Sequence, residues 1–370
     1  MDALIARARA LGPSLAAHTD AHVAARQLAP EVVAALRDDA YLRMLLPRAV
    51  GGLAITPAAY LDVLAALAAG DAATAWVVMT ASTSTLLAAY LPRPSAEAIW
   101  PAAGPTPLLA GVFAPGGTAT EDGDALIVRG RWPYGSGCRH ADWAAVGLLV
   151  GAPPRHAVAL IPMTAPGLSV VDTWDPIGLA GTGSHDLVAA DVRVPRAMVA
   201  QVIGATPWPD EPLTRLPVFG LLALGIAGVG LGIADGALAE VAARLRDVRN
   251  PDGPPSASLA GFASLTARLR AARAFAIDAA TRALATAATA PADDATRGEL
   301  RLAAAHAATE AAAVTRAAFH LIGGATIGRT TRLARAVADA DVMLTHRMVA
   351  DRVRPTTGRA LLGLGAPPDL

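Results

Sequence analysis

The sequence contains no lysine, so all 31 basic residues are arginine. That excludes every mechanism built on a lysine amine, including a pyridoxal Schiff base, a Walker A phosphate loop and a protein kinase. A single cysteine, Cys138, leaves no intrachain disulfide, thiolate zinc site or cysteine-held iron–sulfur cluster. Charge is also scarce. Only 17% of residues are charged and 31 basic residues balance 31 acidic ones, so there is no electrostatic case for binding nucleic acid or an anionic membrane. With 54% hydrophobic residues, part of the surface is expected to lie against other copies of the chain, in a homo-oligomer. Neutral small-molecule chemistry fits this balance, and 370 residues are enough for two or three domains.

Familiar catalytic signatures are missing as well. Of eight histidines, only His18 and His22 have helical i,i+4 spacing, and His-Thr-Asp-Ala-His lacks the glutamate of a zinc-binding HExxH helix. The pair reads as a solvated helix face, and no metal is expected. Ser136 and Ser184 have glycine neighbours but no glycine two residues before them, so neither forms a GxSxG elbow. The run GVGLGI (228–233) lacks the last glycine of a dinucleotide-binding loop. Catalysis is therefore expected to use an organic cofactor.

Leu216–Ala234 is an uncharged run of 19 residues, barely enough to span a bilayer. It carries five glycines and continues into the amphipathic stretch DGALAEVAARLRDV (235–248), which favours a buried helix packed closely on its neighbours. The N-terminal MDALIARARALG lacks the long apolar core of a signal peptide, so the cytoplasm is the expected compartment.

Along the chain, residues 1–105 read as helices. One begins at EVVAAL (31–36) after Pro30, and another at Thr56-Pro57, an N-cap and first-turn pair. From Leu108 the texture changes to short β-branched runs with the length and spacing of antiparallel strands: LLAGVF, DALIVRGRWPY, WAAVGLLV, HAVALIPM, LSVVDTW and LVAADVRV. Helices return after the Pro-rich segment 205–212, interrupted at NPDGPP (250–255) and PADDA (291–295). The three regions are 1–105, 106–205 and 206–370, without βαβ alternation.

Four stretches are similar to the acyl-CoA dehydrogenase superfamily: 28–52, 70–78 (GDAATAWVV), 111–143 with GVFAPGG and GRWPYGSGCRHADW, and 172–195 (DTWDPIGLAGTGSHDLVAADVRVP). Within it the chain resembles the two-component monooxygenases that use reduced flavin. The fold implied is mainly α with a central β-domain: an N-terminal helical domain, an antiparallel β middle domain and a C-terminal four-helix bundle that assembles dimers or tetramers. The implied cofactor is reduced FMN or FAD with O2 as co-substrate, the implied partner a separate flavin reductase, and the implied reaction hydroxylation of a small aromatic or polyketide-like molecule. An acyl-CoA desaturase with bound FAD and a catalytically silent homologue are the alternatives. A desaturase takes a glutamate base from the C-terminal region, where Glu240 is a candidate and Glu310 is the last glutamate.

The resemblance also implies roles for particular residues. Ser136, six residues after Gly130, would bond flavin N5, and Tyr134 would pack near the ring; the plainer alternatives are a turn serine and a sheet aromatic. Phe113, Ala114 and Gly117 would place backbone N–H groups at the flavin's pyrimidine edge, although Pro-Gly-Gly is also simply a turn. Gly323 and Gly324 would approach the cofactor's phosphates across a subunit boundary, or else break a helix. The branch pattern L-x-R-x-x-R-D with a following histidine is matched by Leu333, Arg335, Asp339 and His346, with Ala338 in place of the second arginine. His346 would be the acid/base, whereas spacing alone favours a capped or solvated helix histidine. Trp174, Ser184 and His185 are expected to border the substrate or to form a surface turn, and TASTST (80–85) stands where relatives carry a histidine or a large residue.

Overall fold

The computed structural model describes residues 2–247, 253–367 and 369–370. The first helices are α1 (Asp2–Ala25), α2 (Pro30–Asp38), α3 (Pro57–Gly70), α4 (Ala72–Ser84) and α5 (Arg93–Ile99). Thr56 caps α3 by accepting the Ala59 N–H, and Pro57 occupies the first turn, where its missing N–H costs nothing. Thr56→Ala is expected to remove about 1 kcal/mol of stability, read as a lower urea midpoint with an unchanged slope. An unchanged midpoint would show that the cap is dispensable.

Seven strands follow: β1 (Leu109–Asp122), β2 (Ala125–Gly135), β3 (Trp143–Val150), β4 (Arg155–Pro162), β5 (Leu168–Val171), β6 (His185–Pro195) and β7 (Val199–Ala200). They form one sheet in the order β5-β6-β2-β1-β3-β4-β7. The expected antiparallel sheet needs one correction, because β1 and β3 pair in parallel, Leu109 opposite Trp143. The β1–β2 hairpin returns the chain to the end where β1 began, and β3 enters there on the far side of β1. Parallel pairing follows from that entry point. The two-residue period sorts the side chains: Val146, Leu148, Ala159 and Ile161 join Trp132 in a core on one face, while Ala145, Val158 and Leu160 meet Trp100 on the other.

The remaining helices are α6 (Val218–Arg246), α7 (Ser256–Ala287), α8 (Asp294–Ile322), α9 (Arg332–Leu344) and α10 (Arg354–Leu361). Of the loop expected at 250–255, residues 250–252 lie outside the described residues. The uncharged run falls in α6, whose most apolar window is 89% buried inside the protein. Its glycines explain the close packing. A Cβ at Gly228 would stand 2.8 Å from the Leu61 carbonyl oxygen, and one at Gly232 only 2.2 Å from that of Ala65. Larger residues would therefore push α6 off α3. Through this contact one apolar core runs from α1–α4 into α6–α9.

The reading of His18 and His22 as a solvated face is corrected for His22. His18 is half-buried and meets Glu31 at 3.1 Å, whereas His22 is fully buried with Nδ1 3.2 Å from Asp71. Asp71 caps α4 through the Thr74 N–H and also accepts the Thr19 and Thr74 hydroxyls. Burial alone would raise its pKa, but the hydrogen bonds from His22 and Thr74 outweigh it and hold the carboxyl below the usual range.

Candidate active site

Three segments distant in sequence meet beside the end of β2. Tyr134 has a left-handed φ of +69°, rare for an aromatic residue, and the chain then turns so that the Ser136 N–H donates to the Tyr134 carbonyl. The turn leaves the Tyr134 ring 68% exposed and buries Ser136. Trp76 on α4 donates its indole N–H to Ser136 Oγ at 3.1 Å. The loop between β5 and β6 brings Ser184 Oγ to 2.7 Å from Ser136 Oγ and Thr182 Oγ1 to 2.6 Å from Ser184 Oγ. Thr182 in turn donates to the Leu179 carbonyl at 2.8 Å.

That loop is held by α9. Leu179 sits at φ +54°, and its N–H donates to Asp339 Oδ1 at 2.6 Å. Gly178 lies so close to α9 that a Cβ there would be 2.3 Å from the Ala338 carbonyl oxygen. Ala338, the departure from the branch pattern, is thus at a backbone-to-backbone contact. Arg335 reaches back to Asp20 on α1 at 2.5 Å, tying the same helix to the N-terminal region. Burial pushes the Asp339 carboxyl up to about 7, and nearby Asp71 adds to the rise. Because this folded-state value lies above the ordinary carboxylate range, the stabilising proton is fully present below about pH 4 and is lost as pH rises through 7. The stability of the parent relative to Asp339→Asn is therefore expected to fall between pH 4.5 and 8, measured as urea midpoints. Parallel midpoint curves would contradict this placement of the carboxyl.

His346 lies just beyond α9. Its ring stands edge-on to Trp76 with centroids 5.8 Å apart, so Trp76 touches both Ser136 and His346. Burial pushes the imidazole down to about 4, and Arg301, Arg347 and Arg352 push in the same direction. The ring is neutral at pH 7, and Nδ1 accepts the Met348 N–H at 3.3 Å, which leaves the proton on Nε2.

The other expected residues fall in several places. Trp174 meets Tyr134 edge-on at 6.1 Å and donates its indole N–H to the Ala180 carbonyl at 3.1 Å. His185 is fully buried, and its Nδ1 accepts the N–H groups of Thr173 and Trp174, so it anchors the loop from beneath. Burial lowers its pKa. Phe113 and Ala114 lie where the β1–β3 register slips, with the Phe113 carbonyl bonded to His156 Nε2 at 2.7 Å and its ring against Phe219 on α6. Gly117 remains in the β1–β2 ladder opposite Gly130. Gly323 and Gly324 form an exposed turn after α8, reached by none of the hydrogen bonds above. In the segment 80–85 the hydroxyls of Thr80, Ser82, Thr83, Ser84 and Thr85 each donate to a backbone carbonyl. Glu240, the candidate base of a desaturase, is paired with Arg244, and Glu310 with Arg268. Sequence reasoning missed Trp76 and Thr182 as members of this cluster. Trp76 is 60 residues from Ser136, and no periodicity signals such a contact.

Residues 224–351 match the family described as acyl-CoA dehydrogenase, C-terminal domain. The chain is 32% identical over 353 residues to indole-3-acetate monooxygenase of Pseudomonas putida, covering 91% of this chain and 88% of that one. It belongs to the flavin-dependent monooxygenases of the acyl-CoA dehydrogenase superfamily. Among solved structures, XiaF from a Streptomyces species, in complex with FADH2 and glycerol, superposes with a TM-score of 0.89 at 25% identity, over 98% of this chain and 96% of that one. The HsaA monooxygenase of M. tuberculosis gives 0.89 at 25% identity over 98% of both chains.

The oxygenase uses reduced flavin with O2, and the residues present suit that group. A flavin needs aromatic surface for its ring and a polar atom at N5. The exposed Tyr134 beside Trp174 offers the first, and Ser136 Oγ offers the second.

Proposed function

We propose that this oxygenase hydroxylates a small aromatic or polyketide-like substrate at the Ser136–Trp76–His346 cluster, with reduced FMN or FAD delivered by a separate reductase. The observation that carries the reading is the double contact of Trp76, hydrogen-bonded to Ser136 and edge-on to His346. It unites a flavin-facing hydroxyl with a neutral imidazole. When bound, reduced flavin supplies the two electrons that split O2 between the hydroxylated product and water. Ser136 would accept the N5 proton's hydrogen bond, and Tyr134 with Trp174 would cover the ring and help to exclude water. Phe113, Ala114 and Gly117 would border its pyrimidine edge. Gly323 and Gly324 would serve a neighbouring protomer's cofactor. His346 holds its Nε2 proton toward the oxygen that gains charge. Trp174 and Ser184 shape the substrate side, and His185 holds the loop that carries them. The relative named for indole-3-acetate supports an aromatic substrate.

The reading extends to a cytoplasmic dimer or tetramer assembled through the C-terminal bundle, and to domains at 1–105, 106–205 and 206–370. The exposed Leu361, Leu362 and Leu364 support assembly at that end, and light scattering at micromolar concentration tests it. For the activity, the protein is mixed with a flavin reductase, NADH, FMN or FAD and a panel of indoles and phenols. Hydroxylated product that depends on both flavin and reductase is expected. Bleaching of tightly bound oxidised FAD by an acyl-CoA would instead establish the desaturase.

A further inference from the structure

The hydroxyl chain beside β2 has a direction. Each serine or threonine hydroxyl carries one proton to donate. Thr182 uses its proton on the Leu179 carbonyl, which can only accept. In the 2.6 Å contact with Thr182 the donor is therefore Ser184. Ser184 has then no proton left for the 2.7 Å contact with Ser136, so there Ser136 donates. The Trp76 indole can only donate, and it fills one lone pair of Ser136 Oγ. What remains on Ser136 is a single lone pair, and all of these hydroxyls are buried away from water that might reorder them.

This ordering matters because the two redox states of a flavin differ at N5. Reduced flavin carries an N–H there, a donor, whereas oxidised flavin presents a lone pair, an acceptor. A hydroxyl whose only proton is committed elsewhere can satisfy the first and opposes the second. We propose that the chain Ser136–Ser184–Thr182, ending on the Leu179 carbonyl, makes the site select reduced over oxidised flavin, with Ser184 and Thr182 as positioning residues that act through Ser136. The inference rests on the placement of Ser136 at N5 proposed above. It gives the loop a second task besides shaping the pocket: releasing the flavin once it is oxidised, so that the reductase can recharge it.

The test is an anaerobic equilibrium titration of the full-length protein with FMN and FAD in both redox states, followed by flavin fluorescence and absorbance. The parent should bind reduced flavin more tightly. Ser184→Ala releases the Ser136 proton to turn toward N5, and Thr182→Val allows Ser184 to reverse and donate to Ser136, with the same result. Both variants should tighten oxidised flavin by between about two- and tenfold, the worth of one neutral hydrogen bond, while reduced-flavin affinity holds or falls. Ser184→Thr keeps the hydroxyl and should restore the parent ratio. An unchanged ratio in both Ser184→Ala and Thr182→Val, or an equal loss for both redox states, would overturn the proposal. Ser136→Ala separates that failure from failure of the underlying reading. If it raises hydrogen peroxide release while the other variants leave the ratio unchanged, Ser136 stays at N5 and only the selection falls. If it changes neither affinity nor peroxide release, both fall.

Discussion

Replacing His346 by alanine is expected to slow hydroxylation by about 10²- to 10⁴-fold, the range for loss of a general acid–base group, with reduced-flavin affinity close to that of the parent. The two effects separate because His346 reaches the Ser136 hydroxyl only through the Trp76 ring, at 5.8 Å between centroids, and makes no bond to Ser136 itself. Rapid mixing of the reduced-flavin complex with O2 and substrate, followed by product quantification, measures the loss. The pH profile adds an independent check. With the imidazole pushed down to about 4 by burial, the neutral ring is complete throughout pH 6–9, so the parent's hydroxylation rate should show no break from His346 in that window. In stability the sign is that of a depressed histidine: the unfolded chain takes up the proton first, so this contribution is present at neutral pH and is lost as pH falls from about 6.5 toward 4.

Ser136→Ala should act differently. On the proposed placement of Ser136 at N5, the methyl group leaves the N5 proton without an acceptor, and it leaves the buried Trp76 indole without its partner. An unsatisfied buried group costs about 1–3 kcal/mol, so hydrogen peroxide release should rise by roughly five- to 150-fold while substrate binding changes little. Peroxide assays in the presence of saturating substrate, with Ser136→Thr as the variant that retains the hydroxyl, check this. A peroxide yield equal to the parent's would remove Ser136 from the flavin site.

How much of this was legible beforehand depends on the distance over which a residue's environment is decided. The helical, β, helical order shows in the sequence because it rests on local period and punctuation. Thr56-Pro57 opens α3 where expected, and the glycine-rich run becomes a buried stretch of α6. The parallel β1–β3 pair did not show, since alternation reports a strand's faces and not its neighbour. His22 looked solvated because its i,i+4 spacing is local, whereas its surroundings come from distant parts of the chain, Asp71 and Gly181 among them. At the site, the turn serine and the late histidine could be singled out by resemblance. The Trp76 contact and the polarity of the hydroxyl chain could not, because both arise only when α4, the end of β2 and the 177–184 loop are brought together.

The proposed division of work between Ser136 and His346 at one flavin oxygenation site is read out by a single-turnover electron balance. Reduced flavin bound to the parent, Ser136→Ala or His346→Ala is mixed with O2 and substrate, and the electrons recovered as hydroxylated product and as hydrogen peroxide are counted. Ser136→Ala is expected to shift the balance to peroxide through faster release, whereas His346→Ala slows product formation by at least about 10²-fold without accelerating that release. Parent-like partition and parent-like product rate in both variants would contradict it.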